Sequence, residues 1–349
     1  MKPITPYSLL TENFDEPVLY EPARIENGYN VLKIITAFTD CERISRHLIG
    51  LSDGIKETKY VKGMSVDIIV GMTKSSLSRR KHEAICRLMN QLNGNRDMPK
   101  INCYYINSGQ EVHTKMYIWG KGDRTSATVY GIAYCGSLNY TMNAFYKRRE
   151  SVSLCNPLQA YSYYEELFRD SINCLEPAAV ARVRGNTPES KDDECFENET
   201  DYDTYNGMPP VDTLQVSLLK ANGDVGYGSG VNWGIRKNGT RRNRDQAYIP
   251  YNVACRKDGF FPGRINAEDE NCPIFRVITS DFGSFHMRLA QQGDKALHTA
   301  ESNAILGEWL RKRLRVNSGE FISKEMLESY GKTYVTFRKY KDGTYLLDF

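Results

Sequence analysis

Two runs of alternating apolar residues, Val112/Met116/Ile118 and Val129/Ile132/Tyr134, each begin or end at a polar cluster, and no other feature of the chain constrains its fold as tightly. Alternation with a period of two marks a strand with one buried face. The polar groups between the runs therefore project from strand ends, where a sheet holds side chains rigidly. The first cluster lies in EVHTKMYIWGKG (111–122), where His113 and Lys115 are two residues apart and so share one face of a strand. The second lies in AYCGSLNYTMNAF (133–145), where Gly136-Ser137-Leu138-Asn139 follows the next strand, and Glu150 opens a further one, ESVSLCN. The set is an imidazole, an ammonium, an amide beside a hydroxyl, and a carboxylate, with no cysteine or second histidine near enough to suggest a metal. It suits a phosphoryl group: a neutral imidazole attacks phosphorus while Lys115 and Asn139 stabilise the equatorial oxygens.

Upstream, NVLKIITAF (30–38) and MSVDIIVGM (64–72) read as buried strands. TDCERISRHLIGL reads as a helix capped by Thr39 or Asp40, with Ile44, Leu48 and Leu51 on one face. The segment 74–93 reads as one amphipathic helix ended by Asn93-Gly94. After the strands INCYYI, VHTKMYIW, TVYGIAYC and ESVSLC, a helix over 158–175 closes the unit. Strand and helix alternating, then several strands, make an α/β layered domain over 1–175.

At 349 residues the chain has room for two domains, and the composition supports a break. Residues 176–210 carry nine carboxylates against three cations and few large apolar side chains, which reads as an acidic linker between two mildly basic bodies. No apolar run approaches the roughly 20 residues of a membrane span, and MKPITPYSLLTENF lacks the apolar core of a signal peptide. A cytoplasmic protein without a membrane partner is expected. The nine cysteines are scattered, without a CxxC pair, and read as reduced, mostly buried thiols.

From 211 to 349 the chain is a series of short strand-like runs, TLQVSLL, AYIPY, IFRVITS, SFHMRLA, YVTFRKY and TYLLDF, with one clear helix, AESNAILGEWLRKRL (300–314). A small, mainly β barrel-like domain follows from that pattern. Two of its polar segments read as loops and carry the side chains used to read base edges. WGIRKNGTRRNRDQ offers Trp233, Arg236, Lys237, Arg241, Arg242, Arg244, Asp245 and Gln246, and AQQGDKALHT offers Gln291, Gln292, Asp294, Lys295 and His298. Arginine pairs with guanine, glutamine with adenine, and aspartate accepts from cytosine; the remaining cations suit phosphates.

His-x-Lys followed by Gly-Ser-x-Asn and then Glu150 resembles the phospholipase D superfamily, in the arrangement of its metal-independent restriction endonucleases (BfiI-like and NgoFVII-type). The phrases SGVNWGIRKNG, NRDQAYIPY, FFP, RLAQQGDKA and ESNAILGEWLRKRL resemble the recognition domain of NgoFVII-type enzymes, a DNA-binding pseudobarrel similar to those of certain plant transcription factors. The resemblance implies a phospholipase-D-like α/β nuclease domain followed by a mainly β pseudobarrel. It also implies cleavage of double-stranded DNA through a phosphohistidine on His113, with Lys115, Ser137, Asn139 and Glu150 in support and no cofactor. A single His-x-Lys motif supplies one imidazole where the chemistry needs two, so a homodimer is expected; some relatives also work with an ATP-dependent helicase-like subunit. Two other readings are a DNA-binding protein that keeps the nuclease fold for dimerisation and a lipid phosphodiesterase of the same superfamily. For the second, no membrane-docking segment is evident.

Overall fold

The structure is a computed structural model that describes residues 14–107, 109–122, 128–146, 148–184, 200–236, 242–252, 255–264 and 272–349. The chain divides into two compact units, Met1–Asn198 and Glu199–Phe349.

The first unit contains β1 (Val31–Thr36), α1 (Cys41–Lys56), β2 (Ser65–Val70), α2 (Thr73–Ser76), α3 (Arg79–Gly94) and β3 (Lys100–Ile106). It continues with β4 (Met116–Lys121), β5 (Val129–Gly136), α4 (Met142–Tyr146), β6 (Val152–Leu154), α5 (Pro157–Arg169) and β7 (Ser171–Asn173). Its sheet runs β6-β5-β4-β1-β2-β3-β7. The apolar strands β1, β2 and β3 are mutually parallel, and the remaining neighbours pair antiparallel. Helix α5 covers β3, β4 and β5, burying Ala160 and Tyr164 against Ile35, Ile69, Ile118 and Ala133. The alternate residues Ile34, Ile68 and Trp119 are also fully buried and, by the strand period, face the opposite side. Because β4 and β6 run against β1 and β5, one edge of the sheet collects the ends of β1, β2 and β5 with the beginnings of β4 and β6.

The helices expected over 74–93 and 158–175 depart from their expected extent. The segment expected as one helix over 74–93 breaks at Leu77, where Ser78 turns extended and caps α3 by accepting from Lys81 N–H at 3.4 Å. The closing helix ends at Arg169, and the residues after Asp170 pair as β7 with β3, Tyr104 opposite Asn173. An open strand edge outweighs the helical period of these residues.

The second unit contains α6 (Thr200–Asn206), β8 (Asp212–Ser217), β9 (Ile249–Pro250), β10 (Phe275–Thr279), β11 (Gly283–Ala290), β12 (Ala296–Thr299), α7 (Ala304–Leu314), α8 (Lys324–Tyr330), β13 (Tyr334–Lys339) and β14 (Tyr345–Asp348). One mixed sheet, β8-β13-β14-β10-β11-β12-β9, curls until its end strands β8 and β9 pack together, as a pseudobarrel requires. Its interior is filled by Phe261, Phe275, Tyr345 and Leu347, with Leu306 and Trp309 of α7 in the same core. Besides α6, which lies in the expected linker, two elements were not anticipated. Helix α8 is capped by Ser323 and ends on Gly331 in the left-handed region, and β12 occupies residues expected to be loop.

The ends of the acidic segment 176–210 belong to the units on either side. A short helical turn, Pro177–Arg182, packs on β3 and β7, and α6 lies on β10 and β14, with the Tyr202 hydroxyl donating to Asp348 at 2.8 Å. Residues 185–199 lie outside the described residues. No helix among the described residues is long and apolar enough to cross a membrane.

Candidate active site and nucleic-acid interface

The segment before β4 is held against the end of β2: Val112 N–H donates to the Gly71 carbonyl at 3.1 Å, and a Cβ on Gly71 would fall 1.9 Å from the Val112 carbonyl oxygen. Glycine is required there because backbone fills the space. Side chains then alternate. Thr114 meets the Tyr163 hydroxyl of α5 at 3.2 Å, while His113 and Lys115 share the other face. Lys115 is buried, and its Nζ donates to the His113 carbonyl at 2.6 Å and lies 2.9 Å from Nδ1 and 3.0 Å from Nε2 of the His113 ring. The His113 ring is exposed, with Phe38 edge-on at 6.2 Å. Partial burial, and then the Lys115 charge, hold the His113 pKa below its ordinary value. An ammonium offers only protons, so a ring nitrogen that meets it must present a lone pair. Both effects favour the neutral form of the imidazole.

The second cluster stands beside the first, since Gly136 N–H donates to the Lys115 carbonyl at 3.4 Å. A Cβ at Gly136 would fall 2.0 Å from the Ser151 carbonyl oxygen, so this glycine lets the β6 backbone close on the turn. Ser137 is locked to that backbone: its N–H donates to Ser151 O, its Oγ accepts from Ser151 N–H, both at 3.0 Å, and its hydroxyl donates to Glu150. Glu150, expected in a supporting role, is thus engaged by the Ser137 hydroxyl. Asn139 is half-buried, and its Oδ1 lies 3.3 Å from the Thr36 hydroxyl at the end of β1. Asp40, the cap of α1, also accepts from Met142 N–H at 2.7 Å, and burial raises its pKa to about 6 despite the backbone donors that oppose the rise. The structure therefore gathers His113, Lys115, Ser137, Asn139 and Glu150 along one sheet edge. Phe38, Thr36 and Asp40 join them, although in sequence Thr36 and Phe38 read only as the end of a buried strand and Asp40 only as a helix cap.

In the second unit the two segments expected to read DNA meet on an aromatic platform. Trp233 packs against His298 with ring centroids 5.2 Å apart and against Tyr248 at 5.8 Å, and Tyr248 stacks on His298 at 5.5 Å. Exposed Arg242 lies over the Trp233 ring at 5.1 Å, and exposed Gln291 reaches the His298 Nε2 with its amide at 3.4 Å. Burial, with the Arg288 charge adding to it, lowers the His298 pKa to about 4, so this ring is a neutral part of the platform.

Other members of the expected reading set hold the scaffold instead. Asp245 is buried, accepts from Gly319 N–H at 2.8 Å and from the Ser318 hydroxyl, and pairs with buried Arg311 at 3.3 Å. A carboxylate so engaged has no free edge to offer cytosine. Asp294 sits in the turn with φ +54°, meets Arg264 at 3.5 Å and accepts from the Cys272 thiol at 3.4 Å. Arg244 donates to the Gly319 carbonyl at 3.0 Å while remaining exposed, and Gln246 is half-buried, with its backbone carbonyl bonded to Gly234 N–H. Arg236, Gln292 and Lys295 are exposed. Lys237 and Arg241 lie outside the described residues. Tyr248 was read only as part of a strand; an aromatic beside a basic loop was its one signal.

Residues 16–179 match the family model described as the NgoFVII restriction endonuclease N-terminal PLD domain, and residues 208–341 match that of the NgoFVII C-terminal B3-like DNA-binding domain. Among curated proteins nothing matches the chain. Among solved structures, NucT from Helicobacter pylori is similar at 16% identity and a TM-score of 0.32, covering 49% of this chain and 98% of its own. The phospholipase D family member Nuc from Salmonella typhimurium is similar at 19% identity and a TM-score of 0.28, covering 41% and 81%. Likeness at this level carries no functional argument.

Proposed function

Because the chain belongs to the NgoFVII restriction endonuclease family, joining its phospholipase-D-type domain to its B3-like DNA-binding domain, we propose that it is a sequence-specific, metal-independent restriction endonuclease acting on double-stranded DNA. The observation that carries the chemistry is the neutral His113 imidazole beside buried Lys115, next to the turn that presents Asn139. His113 attacks the scissile phosphorus and expels one ester oxygen, giving a phosphohistidine; water then displaces the histidine. The leaving oxygen needs a proton: the partner subunit's His113, brought up by a twofold axis and carrying the proton in that cycle, supplies it and, neutral after doing so, takes one from the water. Lys115 and Asn139 neutralise the equatorial oxygens, and Ser137 with Glu150 holds the turn that carries Asn139.

On the recognition side, Arg242 and Gln291 are the base readers this reading favours, because the platform orders both while leaving them exposed. Arg236 and Lys295 suit phosphates. The helicase-like subunit that some relatives work with is left out of the cleavage test, which uses this chain alone, because ATP hydrolysis by such a partner needs Mg²⁺ of its own. The test is cleavage of plasmid DNA in excess EDTA. The native chain should cut and His113→Ala should not, while still binding DNA. Loss in EDTA with rescue by Mg²⁺ would overturn metal independence, and cutting by His113→Ala would overturn the nucleophile.

A further inference from the structure

The fully buried Thr36 side chain ends β1 beneath the catalytic turn and belongs to neither motif. Its Oγ1 accepts from Tyr140 N–H at 2.9 Å and lies 2.8 Å from the Phe38 carbonyl oxygen and 3.3 Å from Asn139 Oδ1. One hydroxyl thus joins the residue that lies against His113 to the residue whose amide is assigned to the phosphate. The surrounding turn is fixed independently: Thr39 bridges Tyr140, Asp40 accepts from Met142 N–H, and the Leu138 carbonyl accepts from the Tyr117 hydroxyl at 3.1 Å. The Tyr140 hydroxyl is held in turn by buried His47 at 2.7 Å. With the backbone so anchored, the partners of the Asn139 side chain decide which end of its amide faces outward.

We propose that Thr36 is the positioning residue for Asn139, an inference that rests on the nuclease reading above. A hydroxyl has one proton, and two acceptors compete for it here. Donated to Asn139 Oδ1, that proton keeps the carbonyl end of the amide inward and leaves the N–H groups free for a phosphate oxygen. Without the hydroxyl the amide loses this preference and can present its oxygen to the phosphate, which repels the developing negative charge.

The test measures single-turnover cleavage of a plasmid that the native enzyme cuts, with DNA affinity measured on the same proteins. Thr36→Val keeps the side-chain shape and removes the hydroxyl. It should slow cleavage on the order of 10- to 100-fold with affinity unchanged, and Thr36→Ser should restore most of the rate. If the valine variant does not fold, Thr36→Ala replaces it with the same expected loss. In an Asn139→Ala background the Thr36 substitution should add nothing, because both act through one group. A hydroxyl-free variant that cuts at the native rate, or losses that multiply in the double variant, would overturn the inference. A native enzyme that cuts no DNA would overturn the nuclease reading itself.

Discussion

At the scale of single residues the proposed mechanism rests on an imidazole kept uncharged beside buried Lys115. Burial and the Lys115 charge both favour the neutral ring, so the His113 pKa lies below 6.5. The nucleophile must be neutral while the partner subunit's His113 must carry a proton, so activity should pass through a maximum near that lowered pKa and fall on either side of it. Replacing Lys115 by Met removes one of the two causes and should move the His113 pKa upward, toward its ordinary value, with burial alone still holding it down. Imidazole resonances followed by NMR across pH 4–8 measure both proteins directly. A His113 pKa at or above 6.5 in the native protein, or no upward movement on losing the lysine, would contradict this account of the site. The spacing of His113 and Lys115 was legible in the sequence because a period of two fixes which side chains share a face. The place of Thr36 was not, because tertiary contacts between residues some hundred apart, among them the bridge between Thr39 and Tyr140 and the bond from Tyr140 N–H, bring the end of β1 against the turn after β5.

At the scale of elements, the strands of both units were largely legible from alternation and apolar runs, and the misses have physical causes. β7 exists because β3 offers an open edge to residues whose own pattern continues a helix. β12 was hidden because ALHT is short and half polar, yet Leu297 pairs with Leu289 on one side and Ile249 on the other, which buries it. That strand carries His298 into the platform beneath Trp233 and Tyr248. The recognition surface therefore separates into a scaffold and a reading edge, and substitutions should separate in the same way. Asp245→Ala strands the buried Arg311 guanidinium and should cost about 3–5 kcal/mol of stability, weakening binding to every sequence through loss of the fold. Arg242→Ala and Gln291→Ala should leave thermal stability nearly unchanged, cost about 1–3 kcal/mol on the cognate site and relax selectivity there. Thermal melts paired with mobility shifts on a randomised duplex pool make the comparison. A stable Asp245→Ala protein with altered sequence preference would return Asp245 to the reading set.

At the scale of the whole molecule, the chain forms two units, Met1–Asn198 and Glu199–Phe349, and the proposed function assigns catalysis to the first and recognition to the second. The division was legible in outline from the acidic stretch between two mildly basic bodies. Its ends were misjudged because composition does not reveal that Tyr202 and Tyr205 find partners on Asp348 and Asp342. The central claim is that His113 is a nucleophile, so that cleavage proceeds by two in-line displacements at phosphorus rather than one. Each displacement inverts the phosphorus. The stereochemical course at a chiral phosphorothioate placed at the scissile position, with cleavage in isotopically labelled water, therefore tests the claim most directly. The account predicts net retention of configuration, and inversion would show that water attacks the phosphate directly and that His113 forms no covalent intermediate.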